Sequence, residues 1–178
     1  MSTLSNFKAQ LTGGGARINL FQVTMAFPTD VLNGFDAGFK GQFLIKAAAL
    51  PASVITPIEL PYRGRKLKIA GDRTFEPWTI TVINDTDMTI RNAFEDWSHR
   101  ITRHDENTSA FGNTLNYMGS ATIDQLDREG AVVKSYGMRD VWPSNIAAIE
   151  VNYETEGVQE FTVELQFQDW VTATTTVS

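Results

Sequence analysis

Gly71–Thr102 reads G-D-R-T-F-E-P-W-T-I-T-V-I-N-D-T-D-M-T-I-R-N-A-F-E-D-W-S-H-R-I-T. It holds a strand, an acidic turn and the one convincing helix of the chain. In Phe75–Ile83, Trp78, Ile80 and Val82 alternate with Thr79 and Thr81, the period of a half-buried strand. Asn84-Asp85-Thr86-Asp87 then breaks the alternation, supplying N-cap candidates and negative charge where a helix dipole favours it. From Met88 the period changes. Ile90, Ala93, Phe94, Trp97 and Ile101 form one apolar stripe on a helix over about residues 88–103, with Arg100 and Arg103 at its C-terminal end. A lone amphipathic helix cannot bury its own stripe. The rest of the chain reads as strand, so the stripe, with Ile90, Phe94, Trp97 and Ile101 as packing residues, is expected on a sheet.

Working outward, the same alternation recurs. Ile18–Phe27 presents Phe21, Val23, Met25 and Phe27 on one face, and Phe43–Leu50 reads as a second strand. Lys66–Ala70 is a short third strand. Leu115–Leu126 and Ala131–Val141 flank the turn Asp127-Arg128-Glu129-Gly130, where glycine suits positive φ. Ile149, Val151 and Tyr153 alternate with Glu150, Asn152 and Glu154. The last strand runs Glu160–Trp170. Thr29–Gly41, with Gly34, Gly38 and Gly41, reads as a loop. About eight antiparallel strands and one helix predict a mainly β sandwich or barrel with a flanking helix.

Pro51–Arg65 stands apart. Three prolines argue against an inner strand, yet Val54, Ile55, Ile58 and Leu60 are too apolar for a solvated loop. These four, with Arg63 and Arg65, are candidate inter-subunit contacts. The basic run Arg63, Arg65, Lys66, Lys68, Arg73 reads either as a solvated strand edge or as a partner for acidic groups of a neighbouring subunit. No interleaved aromatic residues fit it for stacking on nucleic acid.

The chain has 178 residues, 42% hydrophobic and 20% charged, values of one ordinary globular domain. A flexible arm is expected over residues 1–16, a single β domain over 17–171 and a tail over 172–178. A net charge of −6 argues against a nucleic-acid binder. There are no cysteines, hence no disulfide framework and no thiolate metal site. No apolar signal core or membrane-length run occurs, so no membrane anchor is expected.

Catalytic chemistry finds no constellation. Gly13-Gly14-Gly15 lacks the lysine–serine pair of a phosphate loop. His99 and His104 have the wrong spacing for a helical zinc site, even with Asp105 and Glu106 beside them. No G-x-S-x-G exists. Asp85 with Asp87, and Glu95 with Asp96, fit capping and solubility better than acid–base work. No enzyme activity, metal or cofactor is expected.

Five stretches carry a resemblance: N-L-F-Q-V (Asn19–Val23), K-A-A-A-L-P-A (Lys46–Ala52), A-G-D-R-T-F-E-P-W-T-I-T-V-I-N-D (Ala70–Asp85), W-P-S-N-I (Trp142–Ile146) and Q-E-F-T-V-E-L (Gln159–Leu165). In order and spacing the chain resembles the tail tube proteins of T4-like contractile-tailed bacteriophages over roughly Arg17 to Trp170. The resemblance implies a β-sandwich subunit, six to a ring, with inner sheets joined into one barrel. Rings would stack into a hollow tube inside a contractile sheath, which pierces the host envelope and conducts DNA. Implied partners are further copies of itself, the tail sheath protein, and the baseplate initiator and tail terminator proteins. DNA would pass without specific binding. The implied location is the virion tail, assembled in the host bacterial cytoplasm. The haemolysin-coregulated protein of type VI secretion is a fold relative of that family.

An acidic chain suits a DNA channel, since like charge repels phosphate. Candidate lumen residues are the polar faces Glu150, Asn152, Glu154 and Glu160, Thr162, Glu164, Gln166, Gln168. Alternatives are a tube or secreted ring protein of a bacterial contractile injection system, a tube-initiating baseplate protein, or a monomeric carbohydrate-binding β-sandwich.

Overall fold

The computed structural model describes residues 4–11, 15–103, 106, 108–111, 116–154 and 156–172. In chain order these form α1 (Leu4–Gln10), β1 (Phe21–Ala26), α2 (Gly34–Leu44), β2 (Ile45–Ala48), β3 (Val54–Tyr62) and β4 (Arg65–Thr74). There follow β5 (Trp78–Ile83), α3 (Thr89–Ile101), β6 (Gly119–Leu126), β7 (Val132–Ile146), β8 (Glu160–Gln166) and β9 (Asp169–Thr172).

Every strand pairing is antiparallel. Strand β7 organises the body because it serves two groups of strands. Its first part pairs with β6 and β9, and β6 carries β1 on its other side. Its last part, Trp142–Ile146, pairs with β8, which leads on to β5 and β2. The handover is marked by irregular backbone. Gly119 pairs with Val141 and Ser120 with Arg139, so Asp140 is left over as a bulge and takes a left-handed φ of 55°. Arg139 forms a two-pronged ion pair with Asp169, fixing β9 beside the bulge. The guanidinium pKa is raised by this pair.

The two groups of strands face one core. Val23 and Met25 of β1, Ile123 of β6 and Met138 of β7 are buried together with Ile80 and Val82 of β5 and Phe161, Val163 and Leu165 of β8. Alternation explains this, since successive side chains point to opposite faces. Helices α2 and α3 pack against one another and against β1 and β7 respectively.

Several sequence expectations change here. The chain has a second long helix: Gly34–Leu44 is α2, where a loop and the start of a strand were expected. Phe43 is therefore helical and strand β2 starts at Ile45. The proline-rich segment is no loop: it forms β3, paired with β4 as a two-stranded ribbon. Pro57 sits at a register shift, and both ribbon strands have a free edge, where a missing N–H is tolerated. Strand β7 runs through Trp142-Pro143-Ser144-Asn145 instead of stopping there. Glu150, Asn152 and Glu154 lie on a loop, because β8 is already paired on both sides by β7 and β5 and leaves no edge for the segment before it. The final strand is broken into β8 and β9, so Gln168 sits in the connection between them. Inside the expected arm, Leu4–Gln10 is helical, with Leu4 and Phe7 exposed. Gly13, Gly14, His104, Asp105, Leu115 and the tail beyond Thr172 lie outside the described residues.

Candidate assembly surfaces

The ribbon starts from its turn. Between β3 and β4, Arg63 (φ 45°) and Gly64 (φ 78°) are both left-handed, the two-residue hairpin loop whose twist matches its strands. Register then sorts the side chains. Ile58 faces Ile69, Leu60 faces Leu67 and Tyr62 faces Arg65, while Glu59 faces Lys68 and Pro61 faces Lys66 between them. One ribbon face is thus apolar. The other is held by Glu59, which pairs with Lys66 at 2.7 Å and with Lys68 at 3.7 Å. Every residue of both strands is exposed except the half-buried Gly71. At the base, buried Trp78 donates its indole N–H to the Ala49 carbonyl at 2.6 Å, tying the chain before the ribbon to the chain after it. Among the expected contact residues, Val54, Ile55, Ile58, Leu60, Arg63 and Arg65 all lie on this projection. A free two-stranded ribbon is marginal in water.

Helix α2 has its polarity reversed relative to an ordinary amphipathic helix. Its buried residues are Gly34, Ala37, Gly38 and Gly41, while Phe35 is 90% exposed, Phe39 61% and Phe43 73%. The glycines allow a close approach: a Cβ on Gly38 would lie 2.5 Å from the Met25 carbonyl oxygen, and one on Gly34 2.9 Å from Phe27 Cβ. Beside the phenylalanines runs a groove of about 480 Å³ lined by Met25, Phe27, Val31, Phe35 and Phe39, among others. The signal for this surface was present as Phe35, Phe39 and Phe43 at i, i+4, i+8, but three glycines in the same segment read as loop.

A polar clasp fixes α2 against α3. Lys40 donates to the Asp85 carboxylate at 2.5 Å and to the Thr89 hydroxyl at 2.9 Å, and stands 3.5 Å from Asp87. Asp85 also accepts from the Thr89 backbone N–H at the start of α3. The lysine holds the Asp85 carboxyl below its ordinary value, with burial opposing, and Asp85 in turn raises Lys40. On α3 itself, Ile90, Phe94 and Trp97 are buried and Ile101 is half-buried. The Trp97 indole N–H donates to the Tyr117 carbonyl at 2.7 Å. Two charged residues of α3 are tied down: Arg91 donates to the Ala147 carbonyl and lies over the Phe161 ring, and Asp96 accepts from the Leu32 backbone N–H.

The polar side of β8 forms the third surface. Glu160, Thr162 and Glu164 are exposed and Gln166 half-buried, opposite buried Phe161, Val163 and Leu165. Register sets Thr79 beside Glu164 and Thr81 beside Thr162, and Lys46 reaches Glu160 at 2.7 Å. This face is polar with few cations. Glu150, Asn152 and Glu154 are exposed on the loop that precedes it, and Gln168 is exposed beyond it. Among the described residues no group of three or more His, Cys, Asp and Glu is placed to hold a metal ion. No described helix is long and apolar enough to cross a membrane.

Comparison with known proteins follows the same lines. The phage tail tube protein family matches residues 16–173. Tail tube protein gp19 of Enterobacteria phage T4 is 33% identical over 161 residues, covering 89% of this chain and 93% of that protein. In fold, a chain in the 6-fold symmetrised cryo-EM structure of the anti-feeding prophage baseplate aligns with a TM-score of 0.63 at 14% identity, over 88% of this chain and 94% of that one. A chain in the extended sheath–tube complex of the PVC extracellular contractile injection system aligns at 0.58 and 10% identity, over 92% and 95%.

Proposed function

The chain belongs to the phage tail tube protein family, and from that premise we propose how this structural, non-enzymatic subunit assembles and works. Six copies close into a ring, and rings stack into a hollow tube inside a contractile sheath. The 17–171 domain forms the wall. The tube starts on a baseplate initiator, ends at a terminator protein, is built in the host bacterial cytoplasm and conducts DNA through the envelope without binding it specifically. The observation that carries this reading is the β3–β4 ribbon, whose apolar face is exposed and covered by none of the described residues. Such a face is a liability in a monomer, and contact with another copy removes it. A monomeric sugar-binding sandwich is disfavoured, because Trp78 and Trp97 are buried and Trp142 and Trp170 half-buried, leaving no exposed indole platform.

The β8 face of Thr162, Glu164 and Gln166 supplies the lumen wall in this arrangement, since it offers phosphate no cationic anchor. Electron microscopy of the concentrated protein tests the assembly. Stacked rings are expected from the native chain and folded monomers from Ile58→Asp; normal tubes from Ile58→Asp would reject the ribbon as a contact. The lumen is tested with Glu164→Lys in phage particles. Tubes are expected to form, with DNA leaving slowly and more slowly at low salt. Ejection at the parental rate at both low and high salt would place that face elsewhere.

A further inference from the structure

The ribbon has an apolar face that none of the described residues covers, and the same chain carries an apolar groove. On the ribbon the face is built by Ile58, Leu60, Tyr62, Leu67 and Ile69, all exposed. The groove lies between α2 and the end of β1, with Phe35 and Phe39 on its rim. The ribbon does not fill the groove of its own chain: each of its strands packs on the other and not on α2 or β1.

Charge tells what fits the groove. The ribbon tip carries Arg63 and Arg65, which enter no ion pair among the described residues, and Arg63 stacks only on its neighbour Tyr62 at 5.5 Å. Asp30 lies in the chain between Thr29 and Val31, which line the groove, and Asp36 follows Phe35 on its rim; both are exposed and likewise outside every ion pair among the described residues. The phenylalanine faces between them suit guanidinium groups as well as aliphatic side chains. An apolar strip ending in two arginines thus matches, in polarity and in sign of charge, an apolar groove with two aspartates next to its lining residues.

We infer that the apolar face of the β3–β4 ribbon of one copy seats in the α2–β1 groove of a second copy, with Arg63 and Arg65 set against Asp30 and Asp36. The contact joins two different surfaces, so it is head-to-tail and repeats from copy to copy; a self-complementary contact would stop at a pair. The inference rests on the tube reading above, and it adds where the ribbon lands. It also gives the close approach at Gly38 a purpose: it seats the helix on β1 by its backbone, with the phenylalanines turned outward.

The native chain has no cysteine, which gives a clean test. Leu60→Cys on the ribbon is combined with Phe39→Cys on α2, the protein is concentrated to assembly, and a short bis-maleimide is added. A ladder of covalent multimers is expected on a denaturing gel, and a mixture of the two single variants is expected to give a dimer band alone. Leu60→Cys with Thr162→Cys is expected to give no ladder. Normal rings with no ladder from the Leu60–Phe39 pair would overturn the groove as the landing site while leaving the tube reading intact. Native protein that never assembles would overturn both. A charge exchange gives a second reading, independent of the cysteines. Asp36→Arg is expected to raise the concentration needed for assembly by about tenfold, and adding Arg65→Asp to bring it back to within about threefold. Failure of the exchange to restore assembly, with thermal unfolding of the monomer unchanged, overturns the pairing.

Discussion

Helices α2 and α3 lie against each other and use opposite rules. On α3 the apolar stripe Ile90, Phe94 and Trp97 is buried, and Asn92 and Glu95 are exposed. On α2 the apolar stripe Phe35, Phe39 and Phe43 faces out, and glycine is buried. The pair teaches that apolar periodicity marks a face that must avoid water in the working assembly. It does not say whether the cover is the helix's own sheet or another copy. The ribbon repeats the lesson for strands: Ile58 and Leu60 alternate as well as Val163 and Leu165 do, yet the first pair is exposed and the second buried.

The contrast breaks first at Trp97. Its ring is 1% exposed, against Phe27 and Phe94 with centroids 5.2 and 6.2 Å away. Trp97→Ala is expected to lower the unfolding free energy of the isolated subunit by about 3–5 kcal/mol. Chemical denaturation measures it, and a loss below about 1 kcal/mol would remove α3 from the core.

The second test sharpens the contrast by sign. Replacing an exposed mid-helix glycine by alanine ordinarily gains about 1 kcal/mol. At Gly38 the new methyl meets the Met25 carbonyl, so Gly38→Ala is expected to show a net loss of about 1–2 kcal/mol. Phe39→Ala, on the opposite face, is expected to change monomer stability by less than about 0.5 kcal/mol and to weaken assembly. If the alanine at 38 stabilises, α2 does not sit on β1 by its backbone.

The smallest effect is the clasp between the two helices. The Asp85 carboxyl is held below its ordinary value of 3.8, chiefly by the hydrogen bond from Lys40. A depressed carboxylate contributes stability above its unfolded pKa and loses it as pH falls through the folded one. The native chain is therefore expected to lose this contribution below about pH 4, and Asp85→Asn to remove that part of the acid slope. Thermal unfolding at pH 6, 4 and 3 compares the two chains; parallel curves would show that the clasp contributes nothing to the docking.

Much of the body was legible. Strand β5, helix α3, strand β8 and the hairpin at Asp127–Gly130 follow from period and turn chemistry, because each pattern is written within a few residues. The misses share a physical cause. Three glycines look like loop when the reason for Gly38, the Met25 carbonyl 2.5 Å from a would-be Cβ, lies on β1. Prolines argue against a strand until the ribbon supplies free edges on both sides. Glu150, Asn152 and Glu154 alternate like a strand, but alternation cannot report that β8 has no edge left to share.

The amino-acid sequence by itself determined the mainly β class, the α3 stripe, the polar face of β8, the excess of apolar residues around the prolines and, through motifs such as Ala70–Asp85, the family. These are local or linear properties, set by side-chain period and by runs of particular residues. Only the tertiary structure decided that Phe35, Phe39 and Phe43 stand on a helix facing away from the core, that β7 joins two groups of strands across a bulge at Asp140, and that the proline segment projects as a ribbon. Those outcomes depend on which backbone lies beside which, and a neighbour brought in by folding leaves no periodic trace in the segment it meets.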